Sequence, residues 1–251
     1  MKKKLVLLLA FSSASILFVP GVDAAQDCPV SHEKLTQAVK SAVEKQNGGF
    51  GNQEWAVAVD REGKICAVTF SGTGPQSQWL GSRAIAAEKA YTVNAFSTSS
   101  FALSTANLYA SVQPGGYLYG TAETSPPDPS VLYAGKVSEF GTKSDPWIGK
   151  TLGGGVAYGG GLALYHDKRL VGGLGVSGDT SCADHNVAWR IRESLGMGNV
   201  PDGPGPAHND QAIYDIGPDG KSASGFGQPI CHRQGAEVAQ AIGSGINVSH
   251  Q

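Results

Sequence analysis

Nine glycines crowd one short stretch of the chain: Gly153, Gly154, Gly155, Gly159, Gly160, Gly161, Gly172, Gly173 and Gly175. Among them stand Leu162, Leu164, Leu170, Leu174 and Val176 as strand-forming apolar positions, with the polar turn His166-Asp167-Lys168-Arg169 between the two runs. A glycine inside a regular element is destabilising by about 0.5–1 kcal/mol relative to alanine. This density therefore implies a hairpin with something lying very close to it: a helix, a second backbone or a flat ligand. The hairpin runs through Ser177-Gly178-Asp179-Thr180-Ser181 into a helix, whose free N–H groups those side-chain oxygens can cap. At helical spacing Ala183, Val187, Ile191 and Leu195 form one apolar stripe, and Gly196 stands where a left-handed terminating residue belongs. His185, Trp189 and Arg192 share a second face, which a neighbouring subunit, a ligand or the C-terminal tail is expected to cover.

The rest of the chain supplies partners for this unit. Ser31 to Gln46 reads as a helix capped by Ser31, with Leu35, Ala38, Val39, Ala42 and Val43 on one face. Trp55, Val57 and Val59 alternate, Arg61-Glu62-Gly63-Lys64 turns, and Ile65, Ala67 and Thr69 return, giving a first hairpin. A second helix is expected from about Leu80 to Phe96, with Arg83 and Lys89 solvated. A third, from Ser104 to Gln113, is stopped by Pro114-Gly115-Gly116. From Tyr117 to Lys150 prolines interrupt any period, and the segment reads as an ordered loop. Residues 197–251 carry five prolines amid glycines and read as an extended wrap rather than a second domain.

Met1 to Ala24 has Lys2, Lys3 and Lys4, an apolar run from Leu5 to Val19, and small residues at Val22-Asp23-Ala24, the pattern of a secretory signal peptide. The run is shorter than the ~20 residues of a spanning helix. Removing Lys2, Lys3, Lys4 and Asp23 takes 19 cationic and 21 anionic residues to 16 and 20, so the mature chain is near −4. That balance argues against nucleic acid and anionic membrane surfaces as partners. Cys28, Cys66, Cys182 and Cys231 are an even set without a CxxC pair, so disulfides are expected in a periplasmic or secreted protein. Three pairings are possible; Cys28–Cys66 and Cys182–Cys231 tie the N-terminal segment to the first hairpin and the tail to the glycine-hairpin helix.

The run GGGLALYHDKRLVGGLGVSGDTSCADHNVA, from Gly159 to Ala188, resembles the signature of the GlcG/HbpS (DUF336) family of haem-binding proteins. Arg83 to Ala90, ending in Lys89-Ala90, is similar to that family's alanine-rich helix, and the likeness covers roughly Ser31 to Gly196. Leucine and alanine stand where a proline often follows the glycines, the middle segment is longer, and a tail is added. The resemblance implies an α+β fold, a five-stranded antiparallel sheet with packed helices, plus a disulfide-tethered C-terminal extension. The domains are then 1–24 signal peptide, 25–196 GlcG/HbpS-like domain and 197–251 extension. It also implies haem as cofactor, a homo-oligomer, and haem sequestration, degradation or sensing through a partner protein. Small-organic-acid binding, or an accessory role to an enzyme, is the alternative of another class.

For haem, an imidazole or tyrosinate could face the iron while apolar side chains accept the ring. His185 comes first, His166 second and Tyr109 third. As a helix-start residue His185 could instead simply bond to Asp184 or a carbonyl, and His166 could be a solvated turn residue. No HExxH zinc pattern and no GxSxG elbow occur, so no catalytic residue and no metal apart from haem iron is assigned. Gly175 to Gly178 before a helix could cradle an anion, but Asp179 and Asp184 would repel it. Asp184 and His185, adjacent on a helix, point about 100° apart and do not make an acid–base pair.

Overall fold

A computed structural model of the chain describes residues 28–248; the expected signal peptide lies outside the described residues. Helix α1 (His32–Val43) follows Ser31, whose Oγ accepts the Lys34 N–H as its cap. Strands β1 (Trp55–Asp60) and β2 (Ile65–Phe70) form the first hairpin, and α2 (Ser82–Phe96) follows. The middle segment holds three single turns of helix, α3 (Tyr109–Val112), α4 (Thr121–Thr124) and α5 (Pro129–Leu132). Strands β3 (Gly161–His166) and β4 (Arg169–Ser177) make the glycine hairpin, turning through Asp167 and Lys168 at positive φ, and lead into α6 (Ser181–Ser194). The tail contains β5 (Ala212–Tyr214), α7 (Arg233–Ile242) and β6 (Gly245–Asn247).

The main sheet has the antiparallel order β2-β1-β4-β3, with Trp55 opposite Ser177 at one end of the β1–β4 pair and Asp60 opposite Gly172 at the other. Side chains alternate between its faces. Trp55, Val57 and Val59 meet Ala86, Ala87 and Ala90 of α2. Ala56, Ala58, Leu162, Leu164, Leu174 and Val176 meet Leu35 and Val39 of α1 and Val187 and Ile191 of α6.

The close neighbour implied by the glycines is α2. A Cβ on Gly175 would lie 1.9 Å from the Ala86 carbonyl oxygen, and one on Gly173 would lie 2.2 Å from that of Ala90. Alanines on the helix and glycines on the sheet thus bring two backbones together, and this face of the hairpin has no room for a flat ligand.

The sheet is four-stranded, not five-stranded, because irregular segments already satisfy both edges. On β2, Ile65 N donates to Lys150 O (2.8 Å) and Gly149 N to Ile65 O (2.9 Å). On β3, Thr105 N donates to Gly161 O and Tyr165 N to Met197 O, both at 3.1 Å. Strands β5 and β6 form a separate parallel pair. The helix expected from Ser104 shrinks to one turn because the side chains of Ser104 and Asn107 bond the local backbone, Ser104 N to Asn107 Oδ1 at 3.0 Å and Asn107 N to Ser104 Oγ at 3.3 Å. The tail is more than an extended wrap, since it folds α7 and the parallel pair against α6. Disulfides join Cys28 to Cys66 and Cys182 to Cys231. No helix among the described residues is long and apolar enough to cross a membrane.

Candidate functional site

Where β4 ends, the signature loop is held by carboxylates rather than left open for an anion. Asp179 accepts the N–H groups of Phe50 (2.9 Å), Asn52 (3.0 Å) and Thr180 (2.6 Å). Thr180 caps α6 by accepting Ala183 N at 3.3 Å. Asp184 accepts Asp179 N on Oδ1 (2.9 Å) and Lys89 Nζ on Oδ2 (2.7 Å), and Lys89 also donates to Val176 O at 3.0 Å. Burial pushes the Asp184 carboxyl up to about 6 against the opposing pull of Lys89. Burial also pushes Glu54 well above the carboxylate range, and the carboxylates of Asp184 and Asp179 add to this.

Lys89 and Arg83 are therefore buried, contrary to the solvated positions expected from sequence. With α2 lying flat on glycines, each long side chain fills its own face and finds a carboxylate. Arg83 donates to Asp145 at 2.6 Å and stacks over Trp147, its Cζ 3.3 Å from the ring centroid.

The His185–Trp189–Arg192 face is covered by the tail. Arg192 makes a bidentate pair with Asp210 at 2.6 and 2.8 Å and lies over the Trp189 ring, and Ile242 of the tail packs against the core cluster to which Trp189 belongs. His185 is fully buried, with Nε2 3.0 Å from Ser244 O. Burial lowers its pKa to about 4, so the ring is neutral and Nε2–H donates to that carbonyl. Its Nδ1 has no partner among the described residues. Asp184 and His185 thus take different partners, as their angular separation requires.

The three residues named for iron are not brought together. His166 is exposed on the β3–β4 turn, Nδ1 3.2 Å from Asp167. His185 lies under the tail. Tyr109, on α3, lines an apolar cavity of about 210 Å³ with Phe96, Val112, Leu118, Val156 and Tyr158. Tyr158 links this cavity to the signature loop, since Lys89 Nζ lies 5.0 Å from its ring centroid. Burial raises the Tyr158 hydroxyl, and the Asp184 and Glu88 carboxylates raise it further. Sequence reasoning missed Phe96, Val156 and Tyr158 as site residues; the one available signal was their closeness to the Lys89 helix and to Gly159. Apolar walls and a phenol suit a flat metallated ring in chemistry, while the enclosed volume lies below the ~300–1,000 Å³ usual for ligand pockets.

The family model described as haem degrading protein HbpS-like matches residues 30–192. Among solved structures, the PduOC–haem complex is 26% identical, covering 67% of this chain and 94% of that one, with a TM-score of 0.46. The Klebsiella pneumoniae protein ORFY, described as DUF336, is 21% identical over 66% and 90% of the two chains, with a TM-score of 0.44. HbpS is 20% identical over 66% and 90%, with a TM-score of 0.40. No curated protein matches the sequence.

Proposed function

Since the chain belongs to the HbpS-like family, we propose that it is an exported haem-binding protein and that the cavity beside Tyr109 receives one edge of the macrocycle. The observation that carries this reading is the Tyr109 phenol set in an apolar wall. Bound haem supplies a redox-active, Lewis-acidic iron, for which tyrosinate is a suitable ligand. Tyr109 would hold the iron, while Phe96, Val112, Leu118 and Val156 would exclude water from the ring. The cavity's small volume makes opening of residues 117–122 part of the proposal; Leu118 there is flanked by the exposed Tyr117 and Tyr119. A ligand role for His185 requires the tail to lift away, breaking the bond of His185 to the tail's Ser244 O.

Two disulfides support an oxidising compartment. Assembly into an oligomer and a sensor partner rest on the family likeness, since the Trp189 face is closed within the chain. Organic-acid binding has less support, because the buried cations among the described residues are all paired: Arg83 with Asp145, Lys89 with Asp184 and Arg192 with Asp210.

The test is an absorbance titration of the chain from Ala25 onward with hemin, alongside Ala122→Trp, which fills the cavity mouth at an exposed position. Saturation near one hemin per chain in wild type and weakened binding in the variant are expected. No saturable change in wild type would overturn haem binding, and equal binding by Ala122→Trp would overturn the cavity.

A further inference from the structure

A second, polar cavity of about 190 Å³ lies between the turn after α1 and the signature loop, and Glu54 is part of its wall. Glu54 is 2 % exposed, and its Oε2 has no hydrogen-bond partner among the described residues. Its position is fixed by its backbone: Glu54 N donates to Ser71 Oγ and Ser71 N donates to Glu54 O, both at 2.9 Å. A buried carboxyl oxygen without a partner is costly, which makes it a place where a ligand donor is favoured.

The charges around it point to the sign of that ligand. Three carboxyl groups, Glu54, Asp179 and Asp184, share one buried ammonium, Lys89, which already bonds Asp184. Burial and the neighbouring Asp184 and Asp179 carboxylates push Glu54 towards its protonated form, so an added positive charge is favoured beside it. Asp179 is committed to three N–H groups, so Glu54 is the carboxyl left to take a new donor. Among the described residues no group of three His, Cys, Asp or Glu is arranged for a metal ion. The walls instead offer amides and a ring. Asn52, whose Nδ2 donates to Gly178 O at 3.0 Å, and Phe50, 77 % exposed, line the same cavity. Lys45 also lines it, with an exposed side chain whose charge is screened by solvent and salt.

We propose that this cavity binds a small organic cation carrying N–H donors, of the methylammonium or guanidinium type, with the Glu54 carboxylate as its counter-ion and the Phe50 ring against its face. Charge balances at Glu54: the cation pairs with the ionised carboxylate, and any proton the carboxyl carries leaves to solvent. The site is separate from the Tyr109 cavity and stands or falls independently of haem binding.

The test is a titration of the isotopically labelled chain with guanidinium chloride in the millimolar range, following the amide resonances of Phe50 and Asn52, with urea as the neutral analogue of similar size. Saturable shifts with guanidinium, none with urea, and loss of the shifts in Glu54→Gln are expected. Binding should tighten as pH rises, in a field set by Asp179, Asp184, Lys89 and Lys45. Phe50→Ala, at an exposed position, should weaken binding about two- to fivefold, and it keeps the test decisive if Glu54→Gln fails to fold. Equal response to urea, unchanged binding in Glu54→Gln, or unchanged affinity in Phe50→Ala would overturn the proposal.

Discussion

Adding one methyl group at Gly175 tests why the hairpin is built from glycine. The alanine Cβ would stand 1.9 Å from Ala86 O and 2.6 Å from Ala90 N, both backbone atoms that no rotamer change can move. Restoring the ~3.3 Å of a close carbon–oxygen contact would require α2 to withdraw by about 1.4 Å. That shift would loosen Ala86 and Ala90 against Val57 and stretch the Lys89 contacts to Val176 O and Asp184, now 3.0 and 2.7 Å. Overpacking costs about 1–3 kcal/mol, and breaking a buried ion pair costs about 3–5. A destabilisation of at least about 3 kcal/mol is expected, or a fall in melting temperature of roughly 6–12 °C for a domain of this size. Gly74→Ala is the control. Gly74 has extended backbone and nothing within 4 Å of an added Cβ, so a neutral effect or a gain of up to about 1 kcal/mol is expected. Urea unfolding of wild type and both variants makes the comparison. A Gly175→Ala midpoint equal to that of wild type would refute the role of α2 as the close neighbour.

The buried His185 gives a pH dependence of known sign. Its pKa falls from 6.5 to about 4 on folding, so the unfolded chain binds a proton that the folded chain does not, and stability is lost as pH drops through that window. The loss amounts to about 2–3 kcal/mol by pH 4.5. Asp184, raised from 3.8 to about 6, acts oppositely, since its stabilising contribution fades as pH rises. The His185 part is therefore read as a difference: His185→Asn should lose less stability than wild type between pH 7 and 4.5 in urea midpoints, and equal losses would contradict it. Replacing Cys182 and Cys231 together by alanine opens a loop closed over a separation of 49 residues, which costs about 4 kcal/mol in the chain-entropy account. Calorimetry should show the loss, and limited proteolysis should release the tail; peptide mapping that finds free thiols at either position in wild type would contradict the pairing.

The glycine hairpin and α6 were legible because their signals are local. Leu162, Leu164, Leu174 and Val176 alternate with period two, Thr180 caps the helix, and Gly196 takes the left-handed conformation at its end. Arg83 and Lys89 were misread because a lone cation on an alanine-rich helix looks solvated, while their partners Asp145 and Asp184 lie 62 and 95 residues away. The missing fifth strand has the same origin, since Lys150 and Met197 occupy the edge positions without any strand pattern of their own. The Tyr109 cavity was legible only through Tyr109. Its walls come from the end of α2, from α3 and its neighbours, and from Val156 to Tyr158, and no periodicity joins those segments.

The most direct measurement is the absorption spectrum of the hemin complex in Tyr109→Phe and His185→Ala, each compared with wild type at neutral pH. Iron held by Tyr109 predicts a shifted spectrum and weaker binding in Tyr109→Phe, with His185→Ala retaining the wild-type spectrum. An unchanged spectrum in Tyr109→Phe together with a shifted one in His185→Ala would contradict it, and would mean that the tail, with Ser244, lifts from His185 to free the imidazole.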